Sequence, residues 1–338
     1  MSFRWSFSTD KLFRRCQRQF FFREIAAHHS EKEPWRREAF VLKQLKTLEL
    51  WRGSVIHEGI QHYVVPALRT GVALDWGLLA EQTIQRAKAQ LAFSEQKRYR
   101  ESGISKTKQE HFCALVPHEN GSGVSVGEFE KVCEEIRLAF QRLEAMPELW
   151  QPLLGRKDCE AEKQIWVEFD DVKIMVQIDL LFARSLGHPT IIDWKSYEVG
   201  GDTDARLQTV LYGWALWKSK LFDDLHSPEN IELLECQVQD GILIKHECSL
   251  EIFDELEDYL YRSLHRIFSL CRSKKLTEAR LQDFAFADNP NNCEHCSFRQ
   301  LCIERAVLRA PDEVVETLPP PRQTKRNTPL PTLQPAFF

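Results

Sequence analysis

The sequence predicts an α/β fold in which a small mixed sheet, at about residues 159–245, is flanked by helices. Residues 160–169 and 172–183 are rich in Val, Ile and Phe, and Asp170-Asp171 lies between them. Two such runs joined by a short polar pair are typical of a β-hairpin. The segments on either side of this region have helical character instead, and 338 residues suffice for one large domain.

The segments before the sheet are predicted to be helical. Ser8 is the expected N-cap of the first helix, with Asp10 in its first turn. Asn120-Gly-Ser-Gly reads as a loop. The predicted helices span residues 8–24, 36–69, 76–100 and 127–146.

The second half of the sheet and the helices after it follow from similar patterns. A third strand is expected at 190–195, after His188-Pro189, and paired strands at 231–246 surround Asp240-Gly241. Helices are expected at 203–219 and 249–274. The Pro-rich segment 311–338 is predicted to be a disordered tail, because it cannot build a core.

Composition excludes several classes of protein. No apolar run approaches the roughly 18 residues of a membrane span, and the N-terminus has no apolar signal core, so we expect a cytoplasmic protein with no membrane partner. In that compartment ten cysteines are not a disulfide framework. The net charge of −5 is unevenly distributed, and residues 1–52 carry an excess of Lys and Arg that a phosphate backbone could use. The chain has no phosphate-binding loop of the Gly-x4-Gly-Lys type, so any nucleotide motor must be a separate polypeptide.

Four cysteines form the first candidate site. Cys293, Cys296 and Cys302 are clustered near the C-terminus, one short of the usual four-thiolate site, and Cys16 could supply the missing ligand. The spacing does not separate zinc from an iron–sulfur cluster. Either group would join the N- and C-terminal segments of the chain.

Two carboxylates and a lysine form the second candidate site. Strand alternation places Asp193 and Lys195 on one face, and Asp179 of the preceding hairpin can lie beside Asp193. Two neighbouring carboxylates repel each other unless a cation lies between them, and Mg²⁺ or Mn²⁺ suits such a site. A lysine beside that ion can orient a water and offset charge in the transition state.

Three further residues gain meaning from their order in the chain. His57 lies on a predicted helix in Arg52-Gly-Ser-Val-Ile-His57, and Gln208 and Tyr212 share a helix face at i, i+4. Each of these features alone is typical of an ordinary helix surface.

Taken in order, these residues resemble the RecB-like nucleases of the PD-(D/E)XK superfamily. The chain is most similar to the iron–sulfur branch, which includes the AddB nuclease domain and nucleases of CRISPR spacer acquisition. The resemblance covers about residues 6–305. The matching segments are the helix of Cys16, Gly53-x3-His57, Gln177-Ile-Asp179, Asp193-Trp-Lys195, Gln208-x3-Tyr212 and Cys293-x2-Cys296-x5-Cys302.

The resemblance implies a restriction-endonuclease-like core and a role for each matched residue. His57, Asp179, Asp193 and the carbonyl of Trp194 would ligate the catalytic metal, and Lys195 would position the attacking water. Gln208 and Tyr212 would orient the site and contact DNA. A subdomain joining the two ends of the chain would hold a [4Fe–4S] cluster, with zinc as the alternative, on Cys16, Cys293, Cys296 and Cys302.

The resemblance also implies a domain organisation and a function. Residues 1–310 would form the nuclease domain, with a helical insertion at about 70–158 and the cysteine cluster at 293–302. We expect a deoxyribonuclease, an exonuclease on single strands or duplex ends, in repair, recombination or CRISPR adaptation. A separate helicase or CRISPR adaptation subunits would be its partners.

Two departures leave an alternative open. Gln177 stands where the family usually has Gly, and Gln17 stands where Pro commonly follows the first cysteine. Gln177 supports a second reading, in which the chain is a cluster-stabilised subunit that binds DNA or a partner and whose nuclease site is silent.

Overall fold

The fold centres on a six-stranded sheet, which confirms the predicted mixed sheet flanked by helices and adds a strand at Arg4–Trp5 that was not predicted. The structure is a computed structural model that describes residues 3–28, 32–196, 203–271, 276 and 279–307. The strands are β1 Arg4–Trp5, β2 Glu160–Phe169, β3 Val172–Ser185, β4 His188–Lys195, β5 Glu232–Gln237 and β6 Ile242–His246. They are ordered β1-β3-β4-β5-β6, and β2 pairs with β3. The pairs β1–β3 and β4–β5 are parallel, and the others are antiparallel.

The predicted hairpin is present as β2 and β3. Its antiparallel register closes at Phe169↔Val172, so Asp170 and Asp171 are the two loop residues. Both have positive φ, 48° and 59°. A two-residue loop with positive φ at both positions matches the right-handed twist of the flanking strands, and Asp tolerates this conformation.

Helices surround the sheet, and short 3₁₀ or π segments connect several of them. π segments at Phe21–Ala26 and Ile60–Val64 continue α2 and α4. The helices are α1 Phe7–Arg15, α2 Gln17–Phe20, α3 Pro34–Leu42, α4 Leu48–Gly59, α5 Val65–Thr70, α6 Trp76–Glu95, α7 Val116–Asn120, α8 Val126–Glu144, α9 Pro147–Trp150, α10 Thr203–Ser219, α11 Leu250–Cys271, α12 Asn291–Glu294 and α13 Arg299–Val307.

The first predicted helix is wrong in two respects. Its N-cap is Ser6, whose Oγ accepts the Thr9 N–H at 3.3 Å, and not Ser8. The helix also breaks at Cys16, which is extended (φ −163°, ψ 111°). The Cys16 Sγ then accepts the N–H of Gln19 at 3.4 Å and caps α2.

Other boundaries differ less. The predicted helix at 36–69 is interrupted after Leu42, where Lys46 pairs with Leu115 in an isolated parallel bridge. The predicted helix at 249–274 ends at Cys271 within the described residues, and its last residues and the predicted tail at 311–338 lie outside them. Among the helices that the structure describes, none has the length and apolar character needed to cross a membrane.

The sheet separates two apolar cores. Ile191 and Leu233 face a core shared with α1, α10 and α11. Ile192 and Leu234, one residue later on each strand, face a second core formed with α4 to α6 and α8. Because side chains alternate along a strand, the Asp193 side chain points to the same side as Ile191, toward α10.

Candidate functional site

Strands β3 and β4 bring the two predicted aspartates together. Their antiparallel register pairs Leu180 with Ile192, so Asp179 and Asp193 occupy the next position along the ladder. The Trp194 N–H donates to Asp179 Oδ2 at 2.9 Å. The Asp179 carboxylate is therefore held against the backbone at Trp194, directly after Asp193.

Lys195 connects the sheet to α10. Its Nζ lies 2.6 Å from Asp193 Oδ2 and donates to Gln208 Oε1 at 2.8 Å. Gln208 Nε2 in turn donates to the Tyr212 hydroxyl at 2.6 Å. The i, i+4 spacing of Gln208 and Tyr212 places both side chains on the sheet-facing side of α10. Asp193 Oδ2 is buried, and none of its contacts to described residues has hydrogen-bond geometry.

His57 reaches the same site from α4. Its Nδ1 lies 3.5 Å from Asp179 Oδ2. The helix can approach this closely because residue 53 is glycine: a Cβ there would lie 2.4 Å from Ser196 Oγ, just beyond β4. Gly53 and His57 are one helical turn apart, so this close approach places the imidazole over the carboxylates.

Burial sets the protonation states in the site. The pKa of Asp179 is raised well above its ordinary value, chiefly by burial and then by Asp193 and Glu162. Burial also raises the pKa of Asp193, and Lys195 opposes that rise. Burial, followed by the charge of Lys195, lowers the pKa of His57 to about 4. The imidazole is therefore neutral at physiological pH and keeps a lone pair available for a ligand.

Glu162 is a site residue that the sequence analysis missed. It lies on β2 with φ of 54°, between the pairs Ala161↔Leu180 and Lys163↔Ile178, and therefore opposite Asp179. The Gln177 side-chain amide donates to its carboxylate. Because residue 177 is Gln and not the Gly that is usual in the family, its side chain supplies a hydrogen-bond donor to the Glu162 carboxylate. In sequence Glu162 is one polar residue of an alternating strand, so no local signal distinguishes it.

The site opens into a cleft of about 860 Å³. His57, Asp179 and Gln208 line this cleft, whereas Asp193 and Lys195 lie behind them with side chains 2% and 5% exposed. The segment at 104–115 also lines the cleft, through Lys106 and other residues. A substrate in the cleft therefore meets Asp179 and His57 first.

The structure also brings the two ends of the chain together at the cysteines. Cys16 separates α1 from α2, Cys293 lies on α12, Cys296 follows it and Cys302 lies on α13; all four are half-buried free thiols. The pKa of Cys296 is raised to about 11, chiefly by burial, and Cys16, Cys302 and Cys293 contribute to that rise. The four sulfurs are thus electrostatic neighbours.

Neither group of side chains is arranged as a closed metal site. Across the residues that the structure describes, no three or more His, Cys, Asp or Glu side chains are in metal-binding geometry. The donor types nevertheless fit a hard divalent ion at the carboxylates, because Asp179 and Asp193 place mostly buried oxygen ligands side by side on β3 and β4. Because Lys195 contacts Asp193 Oδ2, binding an ion between Asp179 and Asp193 requires the side chains to rearrange.

A family model decides the classification. The model of the PD-(D/E)XK nuclease superfamily matches residues 4–303. The chain belongs to the PD-(D/E)XK nuclease superfamily. The mixed α/β fold, with an open sheet flanked by helices, agrees with a restriction-endonuclease-like core. Membership identifies the chain as a nuclease-type hydrolase of phosphodiesters that uses divalent metals such as Mg²⁺ or Mn²⁺.

Other comparisons add little to this assignment. The comparison with curated proteins gave no match. Among solved structures, the crystal structure of SSO0001 is similar over 64% of this chain and 95% of that chain, with 10% sequence identity and a TM-score of 0.30. A likeness at that TM-score carries no argument about fold or function.

Proposed function

We propose that this PD-(D/E)XK protein is a deoxyribonuclease, acting as an exonuclease on single-stranded DNA or duplex ends. The convergence of His57, Asp179, Asp193 and Lys195 at one cleft supports the proposal. We further propose roles in DNA repair, recombination or CRISPR-type adaptation, with a separate helicase or CRISPR adaptation subunits as partners.

His57, Asp179, Asp193 and the Trp194 carbonyl are the proposed metal ligands. Their carboxylate, carbonyl and imidazole donors suit Mg²⁺ or Mn²⁺, and the lowered pKa of His57 keeps its imidazole unprotonated. A bound divalent ion lowers the pKa of a water and stabilises charge that develops on the phosphate.

Lys195 is the proposed residue that positions the attacking water. Its ammonium group is fixed between Asp193 and Gln208, so it can donate a hydrogen bond along a defined direction and offset negative charge in the transition state. Gln208 is itself held by a hydrogen bond to Tyr212, and its position in the cleft wall suits contact with a DNA strand.

The cleavage assay tests these assignments. End-labelled single- and double-stranded DNA is digested with Mg²⁺ or Mn²⁺ by the wild-type protein and by Asp193→Ala and Lys195→Ala variants. We expect each variant to lose about 10²–10³-fold in rate, the usual cost of removing one group that stabilises the transition state. Lys245→Ala is the matched control, because the Lys245 side chain is 70% exposed and its partner is Glu232.

Two outcomes of that assay carry different meanings. Variants that fold and cut as fast as the wild-type protein would show that the site is assigned to the wrong residues. DNA binding without cleavage under any divalent ion would favour the alternative, a binding subunit with a silent site. Gln177, which stands where the family usually has Gly, is the feature that favours this alternative, and its side-chain amide donates to Glu162 beside Asp179.

We also propose that Cys16, Cys293, Cys296 and Cys302 hold a [4Fe–4S] cluster that is structural. Their shared electrostatic environment and the joining of α1 and α2 to α12 and α13 support this role. In the proposed domain division, residues 1–310 form the nuclease domain and 70–158 its helical insertion.

Anaerobic purification separates a cluster from zinc. A [4Fe–4S] protein is brown and absorbs broadly near roughly 400 nm, whereas a zinc protein is colourless. We expect Cys16→Ala to lose the bound metal, to melt at a lower temperature and to lose activity indirectly, while Cys133→Ala, at a buried cysteine of the other core, keeps its metal. A Cys16→Ala protein with unchanged metal content and melting temperature would contradict this role.

A further inference from the structure

The cationic side chains that line the cleft differ in whether carboxylates of described residues lie close enough to balance their charge. Arg86 Nε donates to Glu58 at 2.7 Å, and its Nη1 lies 3.5 Å from Glu110. Two carboxylates therefore balance that guanidinium group. The four Lys and Arg side chains among the described lining residues are Lys11, Lys46, Arg86 and Lys106.

Three of these cations are lysines, and among the described residues only one of the three has a carboxylate within ion-pair distance. Lys11 Nζ lies 3.4 Å from Asp204. Neither Lys46 nor Lys106 forms an ion pair with any residue that the structure describes. Two cations without carboxylate partners in one cleft form a local positive region that an anion can neutralise.

Lys46 is held firmly in place. Its backbone N–H donates to the Ala114 carbonyl at 2.8 Å, and its carbonyl accepts the Val116 N–H at 3.0 Å. Its Nζ donates to Ser54 Oγ at 2.9 Å. The ammonium group is thereby positioned before any ligand arrives, which reduces the entropy lost on binding.

The two lysines are electrostatic neighbours. The pKa of Lys46 is lowered first by burial and then by the charge of Lys106. Lys46 also contributes to the lowered pKa of His57, and Lys106 opposes the rise that burial causes in the pKa of Glu162. The positive region therefore adjoins the site beside Asp179, on the wall formed by α3–α4 and the segment at 104–115.

We propose that Lys46 and Lys106 form a subsite for a phosphodiester group of a nucleic-acid strand, next to the group that is cleaved. The inference rests on the proposed nuclease function. A bound phosphodiester group would bring one negative charge between the two ammonium groups, and lysine binds phosphate as a compact point charge with rotatable donors. Glu58, Glu110 and Glu162 line the same cleft and repel a nucleic-acid strand, so the lysines define where its backbone can lie.

Binding without cleavage provides the first test. A fluorescent single-stranded oligothymidylate is titrated with the full-length protein in EDTA over a series of NaCl concentrations. For single strands, each neutralised phosphate contributes about 0.7 to the slope of log affinity against log salt. Because the two lysines share one phosphate, we expect Lys46→Gln and Lys106→Gln each to weaken binding and to reduce the slope by no more than about 0.7. Lys46→Arg should keep the wild-type slope.

Two further variants separate an effect on binding from an effect on folding. Lys106 is exposed, so Lys106→Gln leaves the core intact even if Lys46→Gln does not fold. Lys131, exposed on α8 and outside the cleft, is the control lysine, and Lys131→Gln should bind as the wild-type protein does. An unchanged salt slope in Lys106→Gln, or an equal change in Lys131→Gln, overturns the subsite.

Cleavage provides the second test. Thymidine 5′-(p-nitrophenyl phosphate) has one phosphodiester group and no neighbouring phosphate. With Mn²⁺, we expect Lys106→Gln to lower kcat/KM for the oligonucleotide at least about tenfold more than for this ester. An equal loss on both substrates overturns the proposal, because it places the effect in the catalytic centre.

The two proposals fail in different ways. A wild-type protein that binds the oligonucleotide with the expected lysine dependence but cuts nothing refutes the nuclease function and supports the subsite. A wild-type protein that cuts DNA with no dependence on either lysine refutes the subsite alone. A wild-type protein that binds no strand refutes the subsite directly.

Discussion

The carboxylate of Asp179 should destabilise the metal-free protein, and its removal should therefore stabilise the fold. Asp179 is mostly buried, next to Asp193 and Glu162, and both neighbours oppose its ionisation. In Asp179→Asn the charge is lost, but the amide oxygen can still accept the Trp194 N–H that now donates at 2.9 Å. The variant thus removes repulsion and retains the hydrogen bond.

The expected gain is about 1–3 kcal/mol in the free energy of unfolding at pH 8, the usual cost of a buried polar group whose interactions are incompletely satisfied. The gain should depend on pH. The pKa of Asp179 in the folded protein is raised above the ordinary value of about 3.9. Below about pH 3.9 the carboxyl is protonated in both states and its burial carries no charge penalty. As pH rises through the folded pKa, the free energy of unfolding of the wild-type protein therefore falls. The difference between variant and wild type should therefore grow from pH 5 to pH 8.

Urea unfolding in EDTA measures this difference. Asp158→Asn is a control of opposite sign, because Arg156 lowers the pKa of Asp158; its side chain is 47% exposed, so its effect should stay below about 1 kcal/mol. Excess Mn²⁺ should stabilise the wild-type protein, by about 2.7 kcal/mol at one hundred times the dissociation constant, and should stabilise Asp179→Asn much less. If Asp179→Asn is less stable than the wild type in EDTA at pH 8, or if the difference does not change with pH, the electrostatic account is refuted.

Two other substitutions test the supports of the site. Gly53→Ala should destabilise the protein by about 1–3 kcal/mol through the 2.4 Å contact with Ser196 Oγ, partly offset by the higher helix propensity of Ala. In a Ser196→Ala background, urea unfolding should show the same substitution to be neutral or stabilising. An equal cost in both backgrounds would exclude this contact as the cause. Tyr212→Phe should leave the Gln208 amide N–H without its acceptor and destabilise the protein by about 1 kcal/mol. It should lower kcat less than Lys195→Ala does, because Gln208 Oε1 still accepts a hydrogen bond from Lys195. An effect on KM alone would contradict this positioning role.

The sheet could be predicted from sequence because its signals are local. The β2–β3 hairpin ends within two residues of the prediction, since alternation and the Asp170-Asp171 pair specify both register and turn. The i, i+4 spacing of Gln208 and Tyr212 likewise places both side chains together. These features depend on residues close in the chain.

The features that escaped prediction depend on distant contacts. The break at Cys16 interrupts a continuous helical pattern, and the turn after it is held by Arg18, whose N–H donates to the Ala285 carbonyl at 3.2 Å. β1 has two residues and exists because Arg4 and Trp5 pair with β3. Glu162 adopts a positive φ that its residue type disfavours, so its position beside Asp179 appears only in the folded structure.

The helical segment at 70–158, which carries no recognisable motif, packs against the elements that carry the site. On its side of the sheet, Trp150 stacks on Trp194 with ring centroids 5.5 Å apart, behind the strand that carries Asp193 and Lys195. On α4, a Cβ at Gly59 would lie 2.4 Å from Thr83 Oγ1, so α6 packs directly against the helix that presents His57.

The helices at 70–158 also affect the electrostatics of the site, through the core that they share with α4. Burial lowers the pKa of His57 to about 4 and raises that of Asp179. Loosening the packing around α4 would hydrate these groups, weaken the repulsion between the carboxylates and so reduce the drive to take up a cation. The motifs therefore supply the chemical groups, whereas packing on both faces of the sheet supplies the low-dielectric surroundings in which those groups favour a divalent ion.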